Sequence, residues 1–92
     1  MTRVEFTRNA YRALFDLPDY IVIKLKTWVA QVELLGLVEV RKRTGFHDEP
    51  LKGVRTGQRS IRLNKSYRAI YETCVANQNV LVTIIEVNKH DY

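Results

Sequence analysis

The spacing of the hydrophobic residues changes along this chain, and each spacing predicts a different element. Residues 3–6 alternate, with Val4 and Phe6 on one face, which predicts a short strand. Thr7 stands where a helix cap belongs. The apolar residues that follow have a helical spacing: Ala10, Tyr11, Leu14 and Phe15. We therefore expect the chain to open with a strand and a helix.

A second helix is predicted from Pro18, because proline ends the first helix and suits the first turn of the next. Its apolar residues form one stripe, typical of a helix that packs on a core: Ile21, Leu25, Trp28, Val29, Val32 and Leu35. Gly36 is expected to end this helix. Residues 37–40 fit either a helical extension or an extended segment.

Strand-like patterns follow a long loop in the second half of the chain. Residues 41–57 contain four glycine or proline residues and no apolar period, which predicts a loop, and long loops in small domains tend to be functional. Residues 58–63, 67–74 and 80–87 predict three strands, the last of them central and covered by a helix on one face. The predicted fold is α+β: an N-terminal strand, two helices, and then an antiparallel β meander.

Length and composition limit the class of protein. The 92 residues fit one small domain, 1–92, and an apolar content of 46% is typical of globular proteins. The single cysteine, Cys74, rules out an intrachain disulfide in this sequence. No apolar run reaches the length of a signal peptide or the roughly 20 residues of a membrane span. These features predict a soluble cytoplasmic protein.

The positive charge is concentrated in one segment. Residues 41–68 contain nine Lys or Arg and two acids, whereas the other 64 residues contain six basic and eight acidic residues. A focused positive field attracts a polyanion, and nucleic-acid phosphate is the obvious one. The alternative is a solvated charged loop.

Few residue types with catalytic chemistry remain to act on such a ligand. The sequence has no phosphate-binding glycine loop and no nucleophile elbow, and His47 and His90 lack metal-ligand spacing. We therefore predict neither a metal nor a cofactor, and His47 is expected to be a loop histidine without a role. The remaining candidates are acids, bases and proton carriers: Glu49, Arg68, His90, Asp91 and Tyr92.

These candidates fit the cleavage of RNA without a metal. A base removes the proton of the 2′-hydroxyl, a cation holds the charge on the phosphorane, and an acid protonates the departing 5′-oxygen. Glu49 could be the base and Arg68 the cation, since a guanidinium can hold two phosphate oxygens at once. Either His90 or Tyr92 could be the acid.

A structural role is the alternative for each of these residues. Glu49 could be a loop acid that neutralises nearby cations, and Arg68 could form an ion pair with Glu72 or Glu86. Strand parity places Arg68 on the same face as Ile70, and this apolar neighbour makes it uncertain which face is open.

Four motifs, in this order and spacing, resemble the RelE-type toxins of bacterial toxin–antitoxin pairs, within the RelE/ParE superfamily. The likeness is strongest to the YoeB and HigB branches. The motifs are Glu49-Pro50-Leu51-Lys52-Gly53, Gly57-Gln58-Arg59-Ser60-Ile61-Arg62-Leu63, Tyr67-Arg68-Ala69-Ile70-Tyr71 and His90-Asp91-Tyr92.

The resemblance implies a small microbial-RNase-like fold that cuts messenger RNA on the ribosome without a metal and is held inactive by a cognate antitoxin. In the YoeB branch a glutamate at the place of Glu49 is the base, an arginine at the place of Arg68 steadies the phosphate, and a terminal His-Tyr pair completes the site. Here Asp91 separates His90 from Tyr92. The HigB branch ends with an Asp-Tyr pair, as this chain does, but carries a histidine where this chain has Glu49.

Basic residues in and around the same motifs are expected to contact messenger and ribosomal RNA: Lys52, Arg55, Arg59, Arg62 and Lys65. Two other functions remain open. One is a toxin of the related ParE kind, which acts on DNA gyrase with the same fold and is not a nuclease. The other is a basic RNA-binding module without catalysis, whose binding would depend steeply on salt.

Overall fold

The computed structural model describes residues 1–89, with Thr44 described by its backbone only. The helices are α1 (Arg8–Ala13), α2 (Asp19–Leu35) and α3 (Leu37–Arg41). The strands are β1 (Thr2–Phe6), β2 (Glu49–Pro50), β3 (Arg59–Arg62), β4 (Tyr67–Ala76) and β5 (Asn79–Lys89). Within residues 1–89, no helix is both long and apolar enough to cross a lipid bilayer.

The helices begin and end for the reasons that the sequence indicates. The Thr7 hydroxyl caps α1 by accepting a hydrogen bond from the backbone N–H of Ala10 at 3.2 Å. Gly36 ends α2 with a positive φ of 87°, a conformation that favours glycine. The chain then re-enters a helix, so residues 37–40 form the separate helix α3, with Leu37 and Val40 buried.

The predicted stripe of α2 is the face that packs on the core. Ile21, Leu25, Trp28 and Val32 are completely buried, as the spacing predicts. Leu35, at the end of the predicted stripe, is 42% exposed, so the buried face ends one turn earlier than we expected. The ring of Trp28 packs against the ring of Tyr71 on β4, with centroids 5.2 Å apart.

One mixed sheet has the strand order β1-β5-β4-β3-β2. The predicted antiparallel meander is β3-β4-β5, and β5 lies inside the sheet between β4 and β1. Strand β1 pairs parallel to β5, which the sequence analysis did not anticipate. The predicted loop 41–57 contributes the two-residue strand β2 at the opposite edge, where it pairs antiparallel with β3.

The two faces of the sheet differ in what covers them. Ile61, Ala69, Tyr71, Val82 and Ile84 belong to the hydrophobic core that they form with the helices. The register of β4 and β5 skips Ile85, because Ile70 lies opposite Glu86 and the next pair is Tyr71 and Ile84. This bulge allows both Ile84 and Val87 to join the core although they are three residues apart. Within residues 1–89 the α-helices pack on the face that carries this core, and we call the other one the open face.

A candidate catalytic cleft on the open face

A cleft of about 170 Å³ lies where β2, the end of β3 and the start of β4 meet. Its lining is polar and apolar in about equal parts and includes two of the predicted catalytic residues. The lining residues are His47, Glu49, Leu51, Ser60, Ile61, Arg62, Asn64, Tyr67 and Arg68.

The sheet register explains why Glu49 and Arg68 meet there. Directly paired residues of antiparallel strands point to the same face. Glu49 is paired with Ser60, and Arg68 is paired with Arg62. Ser60 and Arg62 are two apart on β3 and therefore share a face. Glu49 and Arg68, 19 positions apart in the chain, are thus brought to one face across the width of β3.

Arg68 presents an unsatisfied donor at this cleft. Its Nε is buried and has no hydrogen-bond partner among residues 1–89. Neither Glu72 nor Glu86 forms an ion pair with Arg68 within residues 1–89. Glu86 binds Arg55 instead, with Arg55 Nη2 and Glu86 Oε1 2.5 Å apart. A buried guanidinium donor without a partner is costly, so an anionic group that bound here would satisfy it.

The fully buried Ile70 does not make the Arg68 face a second core. In the register it lies between Ser60 on β3 and Glu86 on β5. The side chain of Arg55, which also donates to Gln58 at 2.8 Å, reaches Glu86 from the loop beyond β2 and therefore crosses over this position. A loop thus covers Ile70, and the rest of the open face stays free of helices.

Asp48 forms a buried polar cluster directly behind the cleft, which the sequence analysis did not single out. The backbone of Asp48 is partly exposed, but its side chain is only 2% exposed. Oδ1 accepts a hydrogen bond from Arg59 Nε at 2.6 Å, and Oδ2 accepts one from the Tyr71 hydroxyl at 2.5 Å. Arg41 Nε donates to the Tyr71 hydroxyl at 3.3 Å and lies 3.9 Å from Oδ2.

The titration of this cluster follows from its burial and charges. Burial, followed by the hydrogen bond to Asp48, raises the pKa of Tyr71 from 10.0 to about 12, although the bond from Arg41 opposes the rise. Burial lowers the pKa of Arg59, but the hydrogen bond to Asp48 and its negative charge outweigh this effect and the net shift is upward. Near neutral pH the tyrosine is therefore a donor and the arginine a cation.

The predicted RNA-contacting residues fall into two groups. Lys52, Arg62 and Lys65 are exposed, and no ion pair holds them among the residues described here. Arg55 and Arg59 are partly buried and are held by Glu86 and Asp48, so an RNA phosphate would have to compete with a carboxylate for either of them.

His47 lies in the cleft together with Glu49 and Arg68, which its position in a loop did not reveal. Its φ of 46° is in the left-handed region that non-glycine residues seldom adopt, and such backbone strain is concentrated at functional sites. The only sequence signal was its spacing of two residues from Glu49, and that signal is weak.

His90, Asp91 and Tyr92 lie outside the described residues. Strand β5 runs to Lys89, which is paired with the cleft residue Tyr67, and Asn88 is paired with Arg68. Within residues 1–89, no three His, Cys, Asp or Glu side chains are grouped so that they could hold a metal ion.

Solved structures with the same fold are known although the sequences differ. YoeB from Staphylococcus aureus, solved as a dimer, is 22% identical, with a TM-score of 0.68 over 99% of this chain and 98% of that one. YafQ from E. coli strain BL21(DE3) is 16% identical, with a TM-score of 0.72 over 98% and 94%. The toxin–antitoxin complex RelBE2 from Mycobacterium tuberculosis contains a chain that is 24% identical, with a TM-score of 0.63 over 96% of both chains. No protein-family model matches the sequence, and no curated protein matches it.

The fold and the cleft define a small α+β protein with helices on one face of a sheet and a basic cleft on the other. Within that class, the fold is shared with the solved structures of YoeB, of YafQ and of a chain of the RelBE2 complex. The fold predicted from the pattern and motifs of the sequence is therefore confirmed.

Proposed function

We propose that this protein is the toxin of a toxin–antitoxin pair and a ribosome-dependent endoribonuclease that cuts messenger RNA by attack of the 2′-hydroxyl, without a metal. The observation that carries the proposal is the meeting of Glu49 and Arg68 in one cleft on the open face. The RelE-type motifs of the sequence and the shared fold support the same activity.

Glu49 is exposed at the edge of the sheet, where a carboxylate can reach a substrate hydroxyl. In the proposed reaction it takes the proton of the 2′-hydroxyl, and the freed oxygen attacks the adjacent phosphorus. Arg68 donates to the equatorial oxygens of the phosphorane, whose charge rises in the transition state. Its buried Nε, which has no hydrogen-bond partner within residues 1–89, supports this role, because the donor would gain a partner when the phosphate binds.

The bond between phosphorus and the 5′-oxygen then breaks, and an acid must give that oxygen a proton. We assign this step to the end of the chain, with His90 or Tyr92 as the donor and Asp91 beside them. The pairing of Asn88 with Arg68 supports the assignment, because β5 carries the chain to the cleft immediately before these residues. The products are a 5′-hydroxyl fragment and a fragment with a 2′,3′-cyclic phosphate or the 3′-phosphate formed from it.

The exposed cations around the cleft suit a large polyanion. Lys52, Arg62 and Lys65 would contact messenger and ribosomal RNA, while Arg55 and Arg59, which are held by Glu86 and Asp48, would contribute less. Such a substrate places the protein in the cytoplasm. A cognate antitoxin is the expected protein partner, as in the RelBE2 toxin–antitoxin complex with which this chain shares its fold.

The test uses ribosomes programmed with a defined messenger RNA in an ordinary magnesium buffer. We expect the protein to cut this RNA and to leave a 5′-hydroxyl end. A single 2′-O-methyl group at the cut nucleotide should abolish that cut, because the methyl group removes the attacking hydroxyl. The variants Glu49→Gln and Arg68→Ala should each lower the rate by about 10²-fold or more.

Cleavage of the methylated RNA at the same position would contradict the mechanism, and an intact unmethylated RNA would contradict the activity. A DNA gyrase supercoiling assay run in parallel distinguishes the ParE-like alternative, which predicts inhibition of gyrase and no cleavage. The non-catalytic alternative predicts salt-dependent ribosome binding that leaves the RNA intact.

A further inference from the structure

Asp48 stands between two cleft residues but points away from the cleft. His47 and Glu49, on either side of it, both line the cleft, whereas the Asp48 carboxylate is enclosed by Arg59 and Tyr71. Both partners lie behind the cleft, since Tyr71 belongs to the core beneath the helices and is paired with Arg59 in the sheet. Along this short stretch of backbone, the Asp48 side chain is therefore held in the interior, whereas the side chains of His47 and Glu49 line the cleft.

Phe46, two residues before Asp48, packs in the core, but few backbone hydrogen bonds within residues 1–89 hold the segment that follows. Strand β2 is two residues long and lies at the edge of the sheet, so it can pair on one side only. Its second residue is Pro50, which has no N–H to donate. Next to it, Leu51 N–H donates to the carbonyl of Gln58 at 2.9 Å. The side chain of Asp48 supplies two further hydrogen bonds, to residues 11 and 23 positions away.

The charges and donors of the cluster hold the Asp48 side chain in place. A buried carboxylate is tolerated when cations and donors surround it. Here Arg59 is in direct contact, Arg41 Nε lies 3.9 Å from Oδ2, and the Tyr71 hydroxyl donates at 2.5 Å. Since burial and the bond to Asp48 hold the pKa of Tyr71 near 12, the tyrosine keeps its proton throughout the physiological range.

We propose that Asp48 is a positioning residue for RNA cleavage: its anchorage to Arg59 and Tyr71 fixes the short edge strand so that Glu49 faces Arg68 across the cleft. The proposal rests on the function proposed above. We call the contacts of Asp48 with Arg59 and Tyr71 the anchor. The proposal assigns Arg59 mainly to this anchor and not to RNA binding, because its Nε donates to Asp48 Oδ1 at 2.6 Å and its Nη2 lies 3.4 Å from the Asp48 carbonyl oxygen.

The experiment measures single-turnover cleavage on programmed ribosomes for Asp48→Asn, Glu49→Gln and the double variant. Asparagine keeps the size of aspartate but loses the charge and one acceptor. We expect Asp48→Asn to lower the maximal rate about 10²-fold, the order of loss that follows a displacement of about 1 Å in a catalytic group. The half-saturating ribosome concentration should stay within about twofold, because the exposed RNA-contacting lysines are unchanged.

The double variant separates positioning from a general loss of structure. If Asp48 acts through Glu49, then Asp48→Asn should cause no further loss in a protein that already carries Glu49→Gln. A full, multiplicative loss in the double variant would overturn the proposal, and so would an unchanged rate in folded Asp48→Asn. The control variant Glu39→Gln removes an exposed acid that pairs with Lys42, and should leave the rate unchanged.

Tyr71→Phe provides a second perturbation of the anchor in case Asp48→Asn does not fold. It removes the donor to Oδ2 and keeps the buried ring, and we expect a smaller rate loss that also disappears in the Glu49→Gln background. The same variants test the two proposals separately. Inactive wild-type protein would refute the proposed function, whereas active wild-type protein, impaired Glu49→Gln and fully active folded anchor variants would refute only the positioning role.

Discussion

Replacing Tyr71 by phenylalanine should destabilise the protein by an amount that shrinks as the pH rises. The hydroxyl of this completely buried residue donates to the Asp48 carboxylate, and a hydrogen bond to a charged group contributes about 1.5–3 kcal/mol. The pKa of Tyr71 shows how strongly the folded protein retains the hydroxyl proton, through burial first and the hydrogen bond to Asp48 second. Its rise from 10.0 to about 12 corresponds to about 3 kcal/mol, at about 1.36 kcal/mol for each pH unit. We therefore expect Tyr71→Phe to cost about 2–3 kcal/mol at pH 7.

The pH dependence follows from the direction of the pKa change. The pKa is higher in the folded protein than in the unfolded chain, so the stabilisation is complete below pH 10 and is lost as the pH rises from 10 to 12. At pH 11, midway between the two values, about half of it, or about 1 kcal/mol, should be gone. Phenylalanine has no proton to lose, so the difference in unfolding free energy between wild type and Tyr71→Phe should fall by that amount.

Urea unfolding at pH 7, 9, 10 and 11 measures this difference, and the fluorescence of Trp28 reports on the transition because its ring lies against Tyr71. Comparing the two proteins at each pH cancels the titration of the lysines, which both contain. Tyr11→Phe is the matched control, since Tyr11 is exposed and its variant should differ from wild type by less than about 0.5 kcal/mol at every pH. A difference between wild type and Tyr71→Phe that stays constant from pH 7 to 11 would refute the assigned hydrogen bond.

Three further predictions concern the cleft, its covering loop and the basic surface. Arg68→Lys should keep the charge but lower the cleavage rate nearly as much as Arg68→Ala, because lysine lacks the planar fork; equal rates for Arg68→Lys and wild type would argue against phosphate binding by Arg68. Ile70→Ala should cost about 2–5 kcal/mol in urea unfolding, whereas Val75→Ala on the exposed half of β4 should cost less than about 0.5 kcal/mol, and similar values for both would show that the loop does not cover Ile70. Lys52→Gln should weaken ribosome binding and reduce its salt dependence by about one counterion, while Lys26→Gln on α2 should not; an equal effect of both would place the contact elsewhere.

The helices could be predicted from the sequence because their determinants are local. The cap at Thr7, the stripe through Trp28 and the stop at Gly36 each depend on residues within a few positions of one another. The short elements could not be predicted in the same way. Strand β2 contains one residue with an N–H donor, and it exists only because β3 lies beside it. Helix α3 has five residues, too few to show a period.

The candidate site could be predicted only in part, because some of its determinants are local in the sequence and others are not. The motifs around Glu49 and Arg68 are contiguous in the sequence, and strand parity can place Arg68 on a face, whereas Glu49 belongs to a segment that the pattern predicts as a loop. The environment of Asp48 is set by residues at positions 41, 59 and 71, which come from a helix and two strands, so its burial has no local signal. In the sequence Asp48 counted only as one negative charge near many positive ones.

The basic segment therefore has two functions that its net charge conceals. Some of its cations are paired within the described residues and hold the walls of the cleft together: Arg41 and Arg59 with Asp48, and Arg55 with Glu86. Others have no ion pair within residues 1–89: Arg62 and Arg68 line the cleft, and Lys52 and Lys65 each follow a lining residue in the sequence. A cation buried against a carboxylate is little screened by salt, whereas an exposed cation is strongly screened. Rising ionic strength should therefore weaken the proposed RNA binding well before it loosens the cleft, and this order is what the proposed function requires.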